Sequence, residues 1–315
     1  MQKILVTGSN GLLGQKLVYA LREDKDVDLI ATAKGENWLI EKNGYSYFSL
    51  DISNKENVNE AIEKFAPDTI SHTAAMTNVD ACETEKEMCR LLNVASVRFF
   101  VEAIEHFKAK RIHFIHLSTD FIFDGKNGPY TEEDEANPIS YYGQSKYDAE
   151  LIVKNSTIDW AILRTIIVYG ITDNMSRSNI VLWAREALSK KQHIKVVDDQ
   201  FRSPTLAEDL AQGCILAAKK KAKGIYNVSG KDTMSILELV CRVAGYFHLS
   251  TDTIEVVKSE TLNQAAKRPP KTGFIIDKAI KELGYNPHSF EEGIKIVYNQ
   301  FLEFKKQNPW NLLNN

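Results

Sequence analysis

A glycine-rich turn near the start of the chain limits the possible folds more than any other stretch. The sequence TGSNGLLG, residues 7–14, follows an apolar run, opens a segment of helical periodicity and spaces Gly8, Gly11 and Gly14 as GxxGxxG. Glycines at a strand-to-helix turn let the backbone contact a pyrophosphate, whose charge the free N–H groups and the helix dipole favour. Because both flanks match this context, the stretch predicts a dinucleotide-binding turn.

Short apolar runs alternate with helical-period stretches through the first half of the chain. The runs KILVTG, VDLIATA and RIHFIHLS are rich in Val, Ile and Leu, as are strands buried on both faces of a parallel sheet. The predicted fold class is therefore α/β, a doubly wound parallel sheet with a second, smaller mixed α/β lobe. Helical periodicity predicts helices from about Leu12, near Asn54–Phe65, in a long stretch after Thr84 and near Arg177–Ser189.

The alternation becomes less regular beyond about Gly170, which suggests two units. We expect residues 1–170 to form the dinucleotide-binding domain and residues 171–315 to form a substrate-binding lobe. Residues 205–230 are candidates for a return to the first domain.

Composition argues against several other classes of protein. The chain has 315 residues, 26% of them charged, with a formal net charge of -3, so it lacks the basic excess of nucleic-acid-binding proteins. No apolar run approaches the roughly 20 residues of a membrane span, and no charged leader precedes a long apolar core at the N-terminus. We expect a cytoplasmic protein with no nucleic-acid or membrane partner. The four cysteines form no CxxC, so we expect buried thiols instead of disulfides or a zinc site.

The residue after the second predicted strand bears on the choice of cofactor. Nicotinamide enzymes typically carry an acid there for a ribose 2′-hydroxyl, whereas a basic residue favours a 2′-phosphate. The stretch ATAKGEN places Lys34 at this position, with Glu36 close by. The sequence thus favours NADP(H) over NAD(H), and an ordinary solvated lysine is the alternative.

Three side chains form a candidate catalytic group. The run HLST ends a predicted strand and delivers Thr119 to the carboxyl edge of the sheet, where ligands bind in such folds. Tyr142 and Lys146 are four positions apart, so a helix places them on one face. A nearby ammonium favours the phenolate and lowers the pKa of a tyrosine, which is about 10 when free. We expect Thr119 to orient a carbonyl, Tyr142 to donate a proton and Lys146 to lower the tyrosine pKa, while Tyr141 packs or contacts substrate.

Two groups of motifs carry a resemblance to known families. TGSNGLLG, STDFIF, YYGQSK and RTIIVYG resemble the extended short-chain dehydrogenase/reductase superfamily. PDTISHTAAMTNVDACE, STDFIFDGKNGPYTEED, DQFRSPT and KRPPKTGFIIDKAIKELG resemble, more narrowly, the dTDP-4-dehydrorhamnose reductase family over nearly the whole chain. The resemblance implies a Rossmann-like fold and NAD(P)H-dependent hydride transfer to a nucleotide-linked 4-keto-6-deoxysugar. It places the family's catalytic Thr, Tyr and Lys on Thr119, Tyr142 and Lys146, and a homodimer is left open.

Contact residues follow from these motifs and from the resemblance. Those expected at the cofactor are Gly8, Asn10, Gly11, Leu12, Leu13, Lys34, Asp51, Ile52, Ala74, Ala75, Asn93, Tyr142 and Lys146. Those expected at the substrate are Thr77, Asp120, Phe121, Ile167, Arg202 and Arg268. The guanidinium groups of the two arginines suit the diphosphate of a nucleotide-sugar, and a structural salt bridge is the alternative for both.

Two positions depart from the family's pattern and leave the exact sugar open. Phe121 stands where the family's STDYVF has Tyr, and Ile167 stands where its RTSWVY has Trp. The stretch RTIIVYG is at least as close to the regulatory beta subunit of methionine adenosyltransferase, which keeps the cofactor fold and serves as a binding partner. A non-catalytic, NADP-binding regulatory subunit therefore remains the alternative.

Further polar residues near the predicted site have simpler interpretations. His113 and His116 are three positions apart on a predicted strand, hence on opposite faces, which argues against a shared metal. We expect core or cofactor-adjacent packing for both and assign no metal. Asp80 and Glu83 follow the fourth strand, and we expect at least one of them to cap a helix.

Overall fold

The computed structural model describes residues 1–173 and 179–307. Its strands are β1 (Gln2–Thr7), β2 (Val27–Ala33), β3 (Ser46–Ser49), β4 (Thr69–His72), β5 (His113–Thr119), β6 (Asp159–Thr165), β7 (Val168–Tyr169), β8 (Ile194–Val197), β9 (Phe201–Arg202), β10 (Thr205–Leu206), β11 (Gly224–Asn227), β12 (Met234–Ser235) and β13 (Ile254–Val257). Its α-helices are α1 (Leu12–Leu21), α2 (Lys55–Phe65), α3 (Val79–Thr84), α4 (Lys86–Arg90), α5 (Ser96–His106), α6 (Tyr141–Lys154), α7 (Ile180–Ser189), α8 (Ala207–Lys220), α9 (Ile236–Tyr246) and α10 (Phe290–Gln307).

A seven-stranded sheet in the order β11-β6-β5-β4-β1-β2-β3 forms the centre of the molecule. All of its neighbouring strands pair in parallel. The order runs outward in both directions from β1 and β4, with helices on each face, so the predicted doubly wound parallel sheet is confirmed.

Alternating residues of the strands fill two apolar cores, one on each face of the sheet. On β1, Ile4 and Val6 join the core beneath α1 and α8, whereas Leu5 joins the core beneath α2 and α5. Because both faces are covered, apolar residues occupy successive positions along the strand. This burial explains the continuous Val, Ile and Leu runs of the sequence.

Smaller sheets and a third apolar core follow the main sheet. β8 pairs with β13 in parallel and β9 pairs with β12 antiparallel, while α7, α9 and α10 enclose a separate buried cluster. β11 lies beside β6 in the main sheet, and α8 packs on α1.

The domain boundaries themselves stay a prediction. The helix expected near Arg177–Ser189 is α7, and the first two residues of that expectation lie outside the described residues.

The long helix predicted after Thr84 is broken into pieces. α4 ends at Arg90, a π-helical turn spans Leu91–Ala95, and α5 follows. Within the turn, Asn93 is buried and its amide accepts from Met76 N at 2.8 Å and donates to Ser145 Oγ at 3.0 Å. Such turns are frequent at functional sites.

The structure also bears on the predictions for membrane-spanning segments and cysteines. Among the described residues, no helix has the length and apolar character needed to cross a membrane. Cys82, Cys89 and Cys214 are buried, but Cys241 is exposed. The expectation of buried thiols is therefore wrong at Cys241, because the buried face of α9 is formed by Leu239, Val240, Val243 and Ala244.

Candidate active site

A cavity of about 710 Å³ lies where the carboxyl ends of the central strands meet the residues of the second lobe. The predicted site residues that line it are Gly8, Gly11, Leu12, Leu13, Ala74, Ala75, Thr77, Thr119, Asp120, Phe121, Tyr142, Lys146, Ile167, Arg202 and Arg268. Asn10, Lys34, Asp51, Ile52 and Asn93 do not line it. The structure thus brings the three candidate catalytic residues and the glycine turn to one cavity.

The glycine turn closes tightly against the sheet. Gly8 has φ +68°, and a Cβ there would lie 2.9 Å from the backbone N of Ala74. A Cβ on Gly14 would lie 2.1 Å from the carbonyl oxygen of Gly8. These contacts explain why glycine is needed at both positions.

The first turn of α1 suits a bound pyrophosphate. Its N-cap is Gly11, no side chain caps the helix, and its first turn carries no acidic residue. Free N–H groups and the positive end of the helix dipole therefore remain available to an anion beside the cavity. The residues present fit the phosphate groups of a dinucleotide.

The start of α6 is held in place by two neighbouring segments. Ser140 Oγ accepts from Gly143 N at 3.1 Å, and Glu83 accepts from Tyr141 N at 2.7 Å, so the expected helix cap is found at Glu83. A Cβ on Gly143 would lie 2.1 Å from the carbonyl oxygen of Phe121. This close approach brings the rings of Phe121 and Tyr142 edge to face at 5.7 Å.

The protonation of Tyr142 differs from the sequence-based expectation. Burial raises the pKa of Tyr142, and a hydrogen bond with the Thr119 side chain opposes that rise without overcoming it. The expected net lowering by Lys146 is therefore wrong for this structure, because loss of hydration penalises the phenolate. Tyr142 stays a phenol at neutral pH, which is the form that donates a proton.

Lys146 is also buried, with the opposite consequence for its charge. Burial lowers the pKa of Lys146 to about 8, while the Glu150 carboxylate and Cys89 act to raise it. Its Nζ lies 3.5 Å from His116 Nε2. At neutral pH the ammonium is the main form, but it titrates closer to neutrality than an exposed lysine.

Asp120 connects the end of β5 to the second lobe. Its carboxylate accepts from Thr119 Oγ1 at 3.1 Å and from the Thr272 hydroxyl, and Arg202 Nε lies 3.6 Å from it. Burial raises the pKa of Asp120, and the charge of Arg202 opposes that shift. Asp120 helps to orient the Thr119 hydroxyl, because its carboxylate accepts the hydrogen bond from that group.

The two arginines differ in how their donors are used. Arg202 is buried and donates to the carbonyl oxygens of Phe201 at 2.7 Å and Pro269 at 2.6 Å. Arg202 Nε also lies 3.6 Å from the Asp120 carboxylate, which fits the structural salt-bridge alternative for Arg202. Arg268 pairs with Asp80, its Nη2 lying 2.7 Å from the carboxylate, so Asp80 serves as an ion-pair partner and Asn78 caps α3.

Three of the predicted cofactor residues outside the cavity lie in the glycine turn and in the segments that follow β2 and β3: Asn10, Lys34 and Asp51. Lys34 Nζ contacts the Asp51 carboxylate at 2.7 Å, and 77% of the lysine side chain is exposed. Asn10 donates to the carbonyl of Glu36 at 2.8 Å and accepts from Trp38 N at 3.0 Å, which holds the segment after β2 against the turn.

The other two belong to the protein interior. Ile52 is buried in the core beneath α2 and α5. Asn93 binds the loop after β4 and α6, as described above, so it supports the cavity from behind. The burial of Ile52 and the contacts of Asn93 both depend on tertiary packing, which the spacing of sequence motifs does not predict.

Several lining residues were not predicted from the sequence. They include His72, Thr73, Ser118, Thr165 and Gln200. Ser118 Oγ and His72 Nε2 are buried and have no hydrogen-bond partner among the described residues. The hydroxyl run HLST at the end of β5 and the SHTAA stretch at the end of β4 were the available signals, because both lie at the carboxyl ends of buried strands.

The two strand histidines lie on opposite faces of the sheet. His113 Nε2 lies 2.7 Å from the carbonyl oxygen of Ala222, whereas His116 lies beside Lys146 on α6. Within residues 1–173 and 179–307, no group of three or more His, Cys, Asp or Glu side chains is arranged to hold a metal ion.

A family model described as the RmlD substrate binding domain matches residues 1–303. The chain belongs to this family. The match covers both the main sheet and the second lobe, and the resemblance inferred from the motifs is confirmed.

The proteins that are similar to this chain have several different names. The chain is 30% identical over 296 residues to the spore coat polysaccharide biosynthesis protein SpsK of Bacillus subtilis, covering 94% of this chain and 96% of SpsK. It is 27% identical over 306 residues to mouse methionine adenosyltransferase 2 subunit beta, covering 93% of this chain and 86% of that protein. A dTDP-4-dehydrorhamnose reductase from Bacillus anthracis, solved in complex with NADP, superposes with a TM-score of 0.79 at 26% identity over 95% of this chain and 100% of that chain.

Proposed function

We propose that the protein is an NAD(P)H-dependent reductase that acts on a nucleotide-linked 4-keto-6-deoxysugar, as a dTDP-4-dehydrorhamnose reductase does. The observation that carries the proposal is that Thr119, Tyr142 and Lys146 line the same cavity as the glycine turn. Hydride transfer needs a nicotinamide cofactor and a proton donor within reach of one carbonyl, and this cavity offers a place for both.

The cofactor of the proposal is NADP(H), with NAD(H) as the less favoured choice. Gly8, Gly11 and the first turn of α1 would hold the pyrophosphate, and Lys34 would meet a ribose 2′-phosphate. The relative from Bacillus anthracis with NADP bound supports this choice. When bound, the reduced nicotinamide supplies the hydride.

Each catalytic side chain has a separate task. In the structure the Thr119 hydroxyl donates to Asp120, so it would turn its one proton to the substrate carbonyl oxygen when substrate binds. Tyr142 Oη donates its proton to the same oxygen as negative charge develops there. The Lys146 ammonium then stabilises the phenolate that the transfer leaves behind. The charge of Lys146 matters at this step because burial raises the pKa of Tyr142 before the reaction.

The substrate part of the site combines apolar and cationic surfaces. Phe121 and Ile167 line the cavity without hydroxyl or indole donors, so sugar hydroxyls must find their partners elsewhere. Arg268 also lines the cavity and donates to the Ala266 carbonyl at 3.1 Å, but 19% of its side chain is exposed against 2% for Arg202, so it is the better candidate for the diphosphate. The diphosphate would compete with Asp80 for Arg268.

A non-catalytic regulatory subunit is the second candidate. It is favoured by the stretch RTIIVYG and by the 27% identity to mouse methionine adenosyltransferase 2 subunit beta. This alternative predicts that the cofactor binds and that no reduction follows.

The two candidates are separated by following NADPH oxidation with a panel of 4-keto-6-deoxy nucleotide-sugars. The panel varies the nucleobase and the sugar configuration, and a parallel thermal-shift series records binding of each ligand. A reductase oxidises NADPH with at least one member of the panel. Stabilisation by NADPH together with no oxidation across the panel would favour the regulatory candidate.

A further inference from the structure

Two buried histidines lie side by side next to the cavity. His72 on β4 and His116 on β5 are paired in register, their ring centroids are 6.0 Å apart, and their exposed fractions are 2% and 1%. His72 Nδ1 lies 3.0 Å from the Thr7 hydroxyl. His116 Nε2 lies 3.5 Å from Lys146 Nζ.

The environment of Lys146 contains few hydrogen-bond acceptors. An ammonium has three N–H donors, and a buried one needs partners for them. In the part of the chain that the structure describes, His116 Nε2 is the one acceptor within hydrogen-bond reach of Lys146 Nζ. The Lys146 side chain also lines the cavity, so the remaining donors are available to a ligand.

We infer that His116 is a positioning residue that holds Lys146 through a hydrogen bond from the ammonium to the imidazole Nε2. The bond fixes the position of Lys146 Nζ, so that its other N–H donors are available to a ligand in the cavity. This role rests on the proposed function of Lys146 at the same site. It requires the tautomer in which His116 Nδ1 carries the proton, and this nitrogen is buried without a hydrogen-bond partner among the described residues.

The surrounding charges are compatible with a neutral imidazole at this place. The titratable and charged groups around Lys146 are Tyr142 and Glu150 on α6, Cys89 on α4, His72 on β4, His116 on β5 and Arg164 on β6, which pairs with Glu150 at 2.8 Å. Burial, the Lys146 charge and His72 all lower the pKa of His116. The ring is therefore uncharged at neutral pH and keeps a lone pair for the ammonium.

The test is the pH dependence of NADP⁺ binding, measured by calorimetry without substrate. In the parent protein we expect affinity to fall as Lys146 loses its proton. In His116→Leu the ammonium loses an acceptor, so the midpoint of that fall should move to lower pH by about one unit, the shift for one hydrogen bond to a charged group. His116→Gln provides an acceptor oxygen and should restore the midpoint.

The matched control is His113→Leu, which removes the same residue type from the same strand on the opposite face. We expect it to lower the melting temperature and to leave the midpoint of the binding curve unchanged. An unchanged midpoint in folded His116→Leu would overturn the inference, and so would equal shifts in the two Leu variants.

A second measurement does not depend on the folding of any Leu variant. Imidazole ¹⁵N NMR of the unmodified protein, with the His116 signals assigned through His116→Gln, reports which ring nitrogen carries the proton. We expect the Nδ1–H tautomer, and an Nε2–H tautomer would contradict the inference. Neither measurement needs turnover, so failure of the proposed reductase activity remains distinguishable from failure of this role.

Discussion

Tyr142 and Lys146 are buried ionisable groups whose charges are shifted in ways that suit reduction. Burial raises the pKa of the Tyr142 phenol and lowers that of the Lys146 ammonium to about 8. The first shift keeps the proton on the donor until the carbonyl takes it. The second means that Lys146 carries its charge at a cost to the stability of the fold.

That cost predicts how the stability of the protein depends on pH. The folded-state pKa of Lys146, about 8, lies below the unfolded value of about 10.4, so the unfolded state binds more protons between these values. The Lys146 contribution to stability therefore rises with pH across this window. Lys146→Met should be more stable than the parent at pH 7, by at most about 3 kcal/mol.

The measurement is denaturant unfolding of both proteins at pH 7 and pH 10. We expect the stability advantage of Lys146→Met to shrink at pH 10, because pH 10 lies above the folded-state pKa of Lys146 and the buried side chain is then mostly neutral. The other titrating groups are common to the two proteins and cancel in the comparison. An advantage that is equal at the two pH values would show that burial does not penalise this ammonium.

A second residue-scale prediction concerns cofactor choice. If Lys34 meets a 2′-phosphate, NADPH should bind more tightly than NADH, and Lys34→Ala should narrow the gap by about tenfold, as expected for one exposed charge contact. Binding can be followed by nicotinamide fluorescence. Lys42, exposed on the same segment, provides a Lys42→Ala control that should leave the ratio unchanged. Equal affinities of the parent protein for the two cofactors would contradict the assignment.

At the scale of elements, the position of α6 depends on its contact with the turn after β5. Gly143 sits where a Cβ would lie 2.1 Å from the Phe121 carbonyl oxygen, a backbone atom that has little freedom to move. The helix carries Tyr142 and Lys146, so any shift of its first turn displaces the candidate proton donor from Thr119.

Gly143→Ala should therefore impair reduction more than its single added methyl suggests. We expect kcat to fall by at least tenfold and the melting temperature to drop, because the added Cβ must push the helix from the turn. Gly245→Ala is the matched control, since a Cβ at Gly245 on α9 meets no heavy atom within 4 Å. Parental kcat in a folded Gly143→Ala would show that the contact does not position the donor.

Local patterns were enough to predict that several residues of the candidate site lie together. The spacing of Tyr142 and Lys146 and the strand that ends at Thr119 predicted one cavity because helix and strand periodicities are local properties. The π-helical turn at Asn93 was missed, since its cause is a set of contacts with Met76 and Ser145 that are remote in sequence. The direction of the Tyr142 pKa shift was missed for the same reason, because burial is a tertiary property.

At the scale of the whole molecule, Arg202 and Arg268 join the main sheet to the second lobe in different ways. Arg202 is enclosed, with its donors on backbone carbonyls and Asp120 beside it. Arg268 lies at the cavity and pairs with Asp80. The sequence motifs placed both arginines near the substrate, but the carbonyl partners of Arg202 could not be read from residue types.

The two arginines should consequently respond differently to truncation. Arg202→Ala leaves Asp120 buried without its partner, so we expect a loss of about 3–5 kcal/mol in unfolding free energy. Arg268→Ala should leave the fold largely intact and raise KM for the nucleotide-sugar more than it lowers kcat, as uniform binding is lost. Unfolding curves and steady-state kinetics of both variants check this, and a reversed pattern would mean that the roles are exchanged.

The assignment of Tyr142 as proton donor is tested most directly by Tyr142→Phe in single-turnover NADPH oxidation with the best 4-keto nucleotide-sugar. Tyr141→Phe serves as the control, because that neighbour lies on another face of α6 and should change the rate little. The account predicts that Tyr142→Phe still binds NADPH and reduces its substrate about 100-fold more slowly or worse. A rate close to that of the parent protein would contradict it.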